Sequence, residues 1–274
     1  MAELFSRPAA HDPAAPPLQV DGVSLTYDGV AALRDISFNI PAGTRVAVVG
    51  PNGAGKSTLF KILVGVLRPT RGEVRIYGAS PGGHVCIAYV PQRSQVDWTF
   101  PVSVADVVMM GRIRTLGLFR WPKPGDWRQV DEALRRVGML EQRRRQIGEL
   151  SGGQQQRVFL AQALAQNAEL VLLDEPLSGL DVPSQEAIFS ILDDLKASGV
   201  TTLVATHDLN LAAERFDQIL LLNRRLVALG PPASVFTPTL LMEAYGGHMH
   251  LVPEGEGVMI LTDTCCDGEE AAHE

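Results

Sequence analysis

Three cysteines in 274 residues, Cys86, Cys265 and Cys266, are too few and too unevenly placed for a disulfide framework. That scarcity suits a reducing compartment. Positive charge is also short: 24 Lys and Arg stand against 31 Asp and Glu, a formal net charge of −7, which argues against a nucleic-acid backbone or an anionic lipid surface as the main partner and leaves room only for local basic patches. No apolar run nears the roughly 20 residues that cross a bilayer. The start, rich in Ala and Pro and carrying Glu3, lacks the long apolar segment of an export signal. A membrane process served by this chain would need another polypeptide to do the spanning. No internal repeat is visible. What is present, 46% apolar side chains, suffices for a full core in essentially one domain.

Residues 1–17 read as a flexible leader. Beyond it, RVAVVG, VCIAYV, LVLLDE, TTLVAT and QILLLN are short and rich in Val, Ile and Leu, as buried strands of a largely parallel sheet should be. KSTLFKILVGV, PSQEAIFSILDDLKASG and LNLAAERF fall between them as helices. From about 93 to 158 the strand signal stops, and SVADVVMMGR and DWRQVDEALRRVGM carry helical periodicity, which predicts an inserted helical lobe. The folded domain is expected over 18–245, with a tail over 246–274 that ends in a solvated acidic stretch. His248, His250, Cys265, Cys266 and His273 in that tail have no spacing that makes a tetrahedral metal site.

GPNGAGKS, from Gly50 to Ser57, is a Gly, four residues, then Gly-Lys-Ser, and it follows a strand and opens a helix. Its glycines let backbone N–H groups turn inward around phosphates, and the helix N-terminus adds partial positive charge. Lys56 is placed to reach the β- and γ-phosphates and the Ser57 hydroxyl to ligate Mg²⁺. Alone, the loop says only that nucleotide phosphates bind.

LVLLDEP narrows the chemistry. A buried strand that ends in two carboxylates, Asp174 and Glu175, is costly unless they meet a cation or a proton-accepting task. Asp174 suits a Mg²⁺ contact and Glu175 suits polarising an attacking water, which together point to hydrolysis. A second anion grip appears at LSGGQ, where Ser151 can cap a helix, Gly152 and Gly153 allow close backbone approach and Gln154 adds donors. By itself that stretch reads better as an N-cap with flexible glycines.

With these motifs in order, the chain resembles the ATP-binding subunits of ABC transporters over nearly its whole ordered length. The resemblance implies an α/β P-loop NTPase core with a mostly parallel sheet, an antiparallel N-terminal β subdomain and an inserted α-helical subdomain. It implies that Tyr27 in SLTYDG stacks on adenine and that Gly50, Pro51, Asn52, Gly53, Ala54, Gly55, Lys56, Ser57 and Thr58 hold the phosphates of ATP. Gln92 in YVPQ is then the loop glutamine that senses Mg²⁺ or water, Asp181 closes SGLD, and His207 in ATHD contacts the γ-phosphate. It further implies a head-to-tail homodimer in which Ser151, Gly152, Gly153 and Gln154 of one copy close over the nucleotide of the other. Transmembrane permease subunits are the implied partners, with an extracytoplasmic solute-binding protein acting indirectly and no nucleic acid. The subunit would sit on the cytoplasmic face of the membrane.

Trp98 and Phe100 lie in a Pro-bounded loop beside the lobe, either as a socket for a permease helix or packed into the lobe's own core. In wording, VDWTFPVSVADVVMMGR, RRQIGELSGGQQQRVFLAQALAQ and LLNRRLVALGPP are similar to the branch that takes up manganese, zinc or iron. Gln162 stands where the family commonly carries Arg, and Leu177 and Leu180 occupy a loop that often differs in this branch. An exporter's ATPase subunit or a soluble ABC protein shares the same motifs.

Overall fold

The computed structural model describes residues 12–262 apart from 13, 28, 82–85, 117–120, 247–248 and 255–256. In chain order, β1 (Leu18–Tyr27) and β2 (Val30–Ile40) form a hairpin, and β3 (Arg45–Val49) leads through the phosphate loop into α1 (Lys56–Leu63). β4 (Arg71–Arg75) and β5 (Ile87–Val90) follow. A helical stretch comes next, with α2 (Val104–Met110), α3 (Ile113–Leu116), α4 (Pro124–Arg136) and α5 (Gly152–Ala165). Alternation resumes with β6 (Leu170–Asp174), α6 (Val182–Ala197), β7 (Thr201–Ala205), α7 (Leu209–Arg215), β8 (Gln218–Leu222) and β9 (Leu226–Gly230). The described chain closes with α8 (Pro232–Val235), α9 (Pro238–Tyr245), β10 (Met249–Glu254) and β11 (Gly257–Thr262).

The main sheet has the order β5-β6-β7-β3-β8-β9 and is parallel except where β9 runs back along β8. β3, β6 and β7 are buried at every position, as strands covered on both faces must be. One face packs against the helical lobe and α6, through residues such as Val108, Leu134, Leu160 and Phe189. The other packs against α1 and a second sheet, β2-β1-β4, which is antiparallel throughout. In β1 only Leu18, Val20, Val23 and Leu25 are buried, and its register shifts let a half-exposed strand bend over that core. Phosphate loops belong at the carboxyl end of a sheet where connections diverge, and β3, flanked by β7 and β8, delivers this one there.

Three expectations change. Helix α5 carries the lobe to Ala165, beyond the boundary expected near 158, because its buried side passes directly into the core beside β5. The leader is fastened at its end: the Asp12 N–H donates to the Tyr77 carbonyl (3.2 Å) and the Tyr77 N–H to that of Pro16 (3.2 Å). The expected tail over 246–274 contains the antiparallel β10–β11 hairpin, paired from Met249↔Thr262 to Glu254↔Gly257. His250 is on β10, whereas His248, Cys265, Cys266 and His273 lie outside the described residues, along with most of the leader. Among the described residues no helix is long and apolar enough to cross a membrane.

Candidate functional site

The loop from Gly50 to Ser57 is held from behind. A Cβ added at Gly50 would stand 2.0 Å from the Leu222 carbonyl oxygen, so the end of β8 admits only glycine there. Gly55, at φ 97°, would drive a Cβ to 2.5 Å from Leu33 Cδ2. The Ala54 N–H donates to the Pro51 carbonyl (3.1 Å), and the Arg224 N–H donates to that of Ala54 (2.8 Å). Lys56 is 7% exposed, and its ammonium donates to the carbonyls of Gly50 (2.7 Å) and Pro51 (3.2 Å), closing the loop into a ring. Burial pushes its pKa down, opposed by the Glu175 and Asp174 carboxylates. A desolvated ammonium hydrogen-bonded to neutral carbonyls is poised to exchange them for anionic oxygens.

Asp174 ends β6 and is 2% exposed. Burial raises its pKa, while hydrogen bonds from the Ser57 and Tyr89 hydroxyls oppose the shift; the Tyr89 hydroxyl lies at 3.3 Å. The Ser57 hydroxyl and a buried carboxylate thus meet at one point, a pair of hard oxygen donors that fits Mg²⁺. Among the described residues no group of three or more His, Cys, Asp or Glu could hold a metal, so an ion here would complete its shell with phosphate oxygens and water.

Glu175 follows with a left-handed backbone, φ 49°, uncommon for a residue with a side chain. Its N–H donates to the Ala205 carbonyl (3.1 Å). The carboxylate receives the Gln92 side-chain amide (2.8 Å) and the Ser178 hydroxyl (3.4 Å). Asp174 pairs with Ala205 across β6 and β7, which brings exposed His207 to the same carboxyl edge as Glu175. Asp208 beside it caps α7, accepting from the Leu211 N–H (2.9 Å). Lys56, Ser57, Asp174, Glu175 and Gln92 therefore form one cluster, with His207 at its rim. Tyr27, 45% exposed, ends β1 in the neighbouring sheet.

Ser151 caps α5 in a reciprocal box. Its hydroxyl accepts from the Gln154 N–H (3.4 Å) and the Gln154 side chain accepts from the Ser151 N–H (3.0 Å). The two glycines prove to have a packing reason that the sequence did not disclose. A Cβ at Gly152 would fall 2.9 Å from Arg93 Nη1 and 3.3 Å from Leu180 Cδ2, and one at Gly153 would fall 2.5 Å from the Ser184 hydroxyl. They bring α5 close to this chain's own Arg93 and α6, whatever else they admit. Gly153→Ala is expected to cost about 1–3 kcal/mol by overpacking, read as a lowered Tm, and adding Ser184→Gly should recover part of it. An unchanged Tm in the single variant would show that α6 yields freely.

Asp181 caps α6 from an exposed position, accepting from the Ser184 N–H (3.2 Å), and its hydrogen bonds from Ser184 hold its pKa below the usual carboxylate value. Among the described residues no hydrogen bond joins Ser151–Gln154 to the phosphate loop; the two grips stand on separate elements. The alternative left open for the aromatic pair divides. Trp98 packs edge-on against Phe159 of α5 (5.6 Å between centroids), whereas Phe100 is 60% exposed. Tyr89 and Ser178, both bonded to the paired carboxylates, carry no sequence signal because strand positions and loop serines are common.

Residues 33–178 match the ABC transporter family. The chain is 47% identical over 234 residues to the manganese transport system ATP-binding protein of Bacillus subtilis (strain 168), covering 85% of this chain and 94% of that one. It is 47% identical over 241 residues to the zinc transport system ATP-binding protein of Treponema pallidum (strain Nichols), covering 87% and 91%. Among solved structures, a component of an ABC transporter complex from Clostridium perfringens superposes with a TM-score of 0.70 at 29% identity, covering 83% of this chain and 93% of that one.

Proposed function

The chain belongs to the ABC transporter family, as an ATP-binding subunit whose hydrolysis of ATP is coupled to transport, and on that premise we propose that it energises uptake of a divalent transition metal, manganese, zinc or iron. The observation that carries the cargo is 47% identity to manganese and zinc transport subunits across almost the whole domain, at a level where fold alone would not keep two chains so alike. The subunit lies against the cytoplasmic face of the membrane on permease partners, which an extracytoplasmic solute-binding protein supplies with cargo. Exposed Phe100, beside the lobe, suits the apolar end of a permease helix.

In this reading Tyr27 stacks on adenine without reading its edges. The inward N–H groups of Gly50 to Thr58 and the Lys56 ammonium bind the β- and γ-phosphates. Ser57 and Asp174, with Gln92 nearby, would hold Mg²⁺, which would supply neutralisation of phosphate charge. Glu175 orients the attacking water and draws its proton; Gln92, hydrogen-bonded to that carboxylate, ties the lobe to the base. His207 contacts the γ-phosphate from the rim. The exposed Ser151, with Gly152, Gly153 and Gln154, closes over the nucleotide of a second copy, and Asp181 lies at the same interface. Such sharing explains two grips on separate elements: nucleotide at an interface couples its own presence to closure, and hydrolysis removes the bridge.

The cargo is tested in the reconstituted transporter with its solute-binding protein. Manganese, zinc or iron presented on that protein should raise ATP turnover several-fold above the cargo-free rate. Stimulation by an organic solute, with none by these metals, would overturn the assignment.

A further inference from the structure

Arg93 directly follows Gln92, yet its side chain belongs to the start of α5. Its Nε donates to Gln155 Oε1 (3.1 Å), and its Nη1 fills the space left by the missing side chain of Gly152. Its carbonyl accepts from the Trp98 indole N–H (3.0 Å), and its guanidinium carbon lies 5.8 Å from the Trp98 ring centroid. Trp98 is itself wedged against Phe159 on α5. Gln155, only 3% exposed, passes the constraint on by donating to the Ile147 carbonyl (3.2 Å), in the turn that leads to Ser151. On the other side, Gln92 donates to Glu175 (2.8 Å).

A short chain of bonds therefore runs from the Glu175 carboxylate through Gln92 and Arg93 to the first turn of α5. Its position is electrostatically unfavourable, since a cation at a helix N-terminus opposes the helix dipole. The planar guanidinium is stiff and keeps several donors in fixed directions, so it transmits displacement where a lysine stem would flex. We infer that Arg93 is a positioning residue that links the state of Glu175 at one ATP site to the pose of Ser151 and Gly152, and so makes the two ATP sites of a dimer communicate. This rests on the head-to-tail reading above. A shift of Gln92 when its own site fills drags Arg93, and Arg93 moves the grip offered to the other site.

The test is ATP hydrolysis against ATP concentration in the reconstituted transporter, for the native chain, Arg93→Ala and Arg93→Lys, with Tm measured alongside. Expected is cooperative hydrolysis in the native complex, a Hill coefficient falling to one in both variants, and kcat lower by about fivefold to tenfold with KM unchanged. Arg93→Lys keeps charge and much of the stem, so its failure to restore cooperativity isolates the fork geometry from folding. Unaltered cooperativity in Arg93→Ala overturns the inference, as does a loss of kcat that merely follows a fall in Tm and is rescued by lysine. The head-to-tail reading is checked separately by nucleotide-driven dimerisation of Glu175→Gln with Arg93 intact. Failure there removes both; success there with unaltered Arg93 variants removes this inference alone.

Discussion

Glu175→Gln should lower ATP turnover by about 10²–10⁴-fold, the range that a positioned general base contributes, while binding MgATP and shifting the isolated chain from monomer to dimer. The amide keeps the shape of the side chain and one oxygen that can still accept from Gln92 and Ser178, so the site's geometry survives. What is lost is the ability to take a proton from water. Bound nucleotide then persists at the shared interface, and the closed state accumulates. Phosphate release measured in steady state checks the first effect and light scattering with and without MgATP the second. Turnover near the native rate would remove Glu175 from its role, and a monomer at saturating MgATP would remove the head-to-tail dimer.

Lys56→Ala is expected to weaken ATP binding by roughly two orders of magnitude, since each hydrogen bond to a charged group is worth about 1.5–3 kcal/mol and at least one to phosphate is lost. Its effect without nucleotide should be far smaller. The ammonium is buried against two carbonyls, and its desolvation pushes its pKa down against the pull of Glu175 and Asp174. Deleting it therefore removes a burdened charge along with its bonds. Thermal unfolding separates the two effects. The ligand-free Tm should move by only a few degrees, whereas the rise produced by MgATP should nearly vanish. A large drop without nucleotide, with the MgATP-dependent rise intact, would reassign Lys56 to holding the loop together.

What could be read in the chain beforehand follows from where each signal lives. RVAVV, LVLLD and TTLVA announce themselves because a strand covered on both faces must be apolar throughout, and they became β3, β6 and β7. Strands β1 and β2 escaped a residue-level reading because half their side chains face outward and bulges break the alternation. The phosphate loop is legible since its chemistry depends on neighbours in sequence. Arg93 is the opposite case: nothing near it announces Gln155, Gly152 and Trp98 as its partners, which only folding assembles. Gly152 and Gly153 fall between: the sequence marks them for close approach to an anion, and their packing against Arg93 and Ser184 is visible only once those residues stand beside them.

The turn between β8 and β9 anchors the nucleotide grip through main-chain atoms alone: the Arg224 N–H reaches Ala54, and its carbonyl accepts from the Arg34 N–H (2.6 Å). Arg224 itself has φ 55° and an exposed side chain. Its guanidinium is thus a passenger, and over generations the position is free to drift among residues that tolerate this left-handed twist, with Asn or Gly the easiest. Proline is barred twice, by its missing donor and its fixed torsion. Sequence variety at this spot among related chains would then say nothing about fuel use, because what selection guards there is a pair of peptide groups.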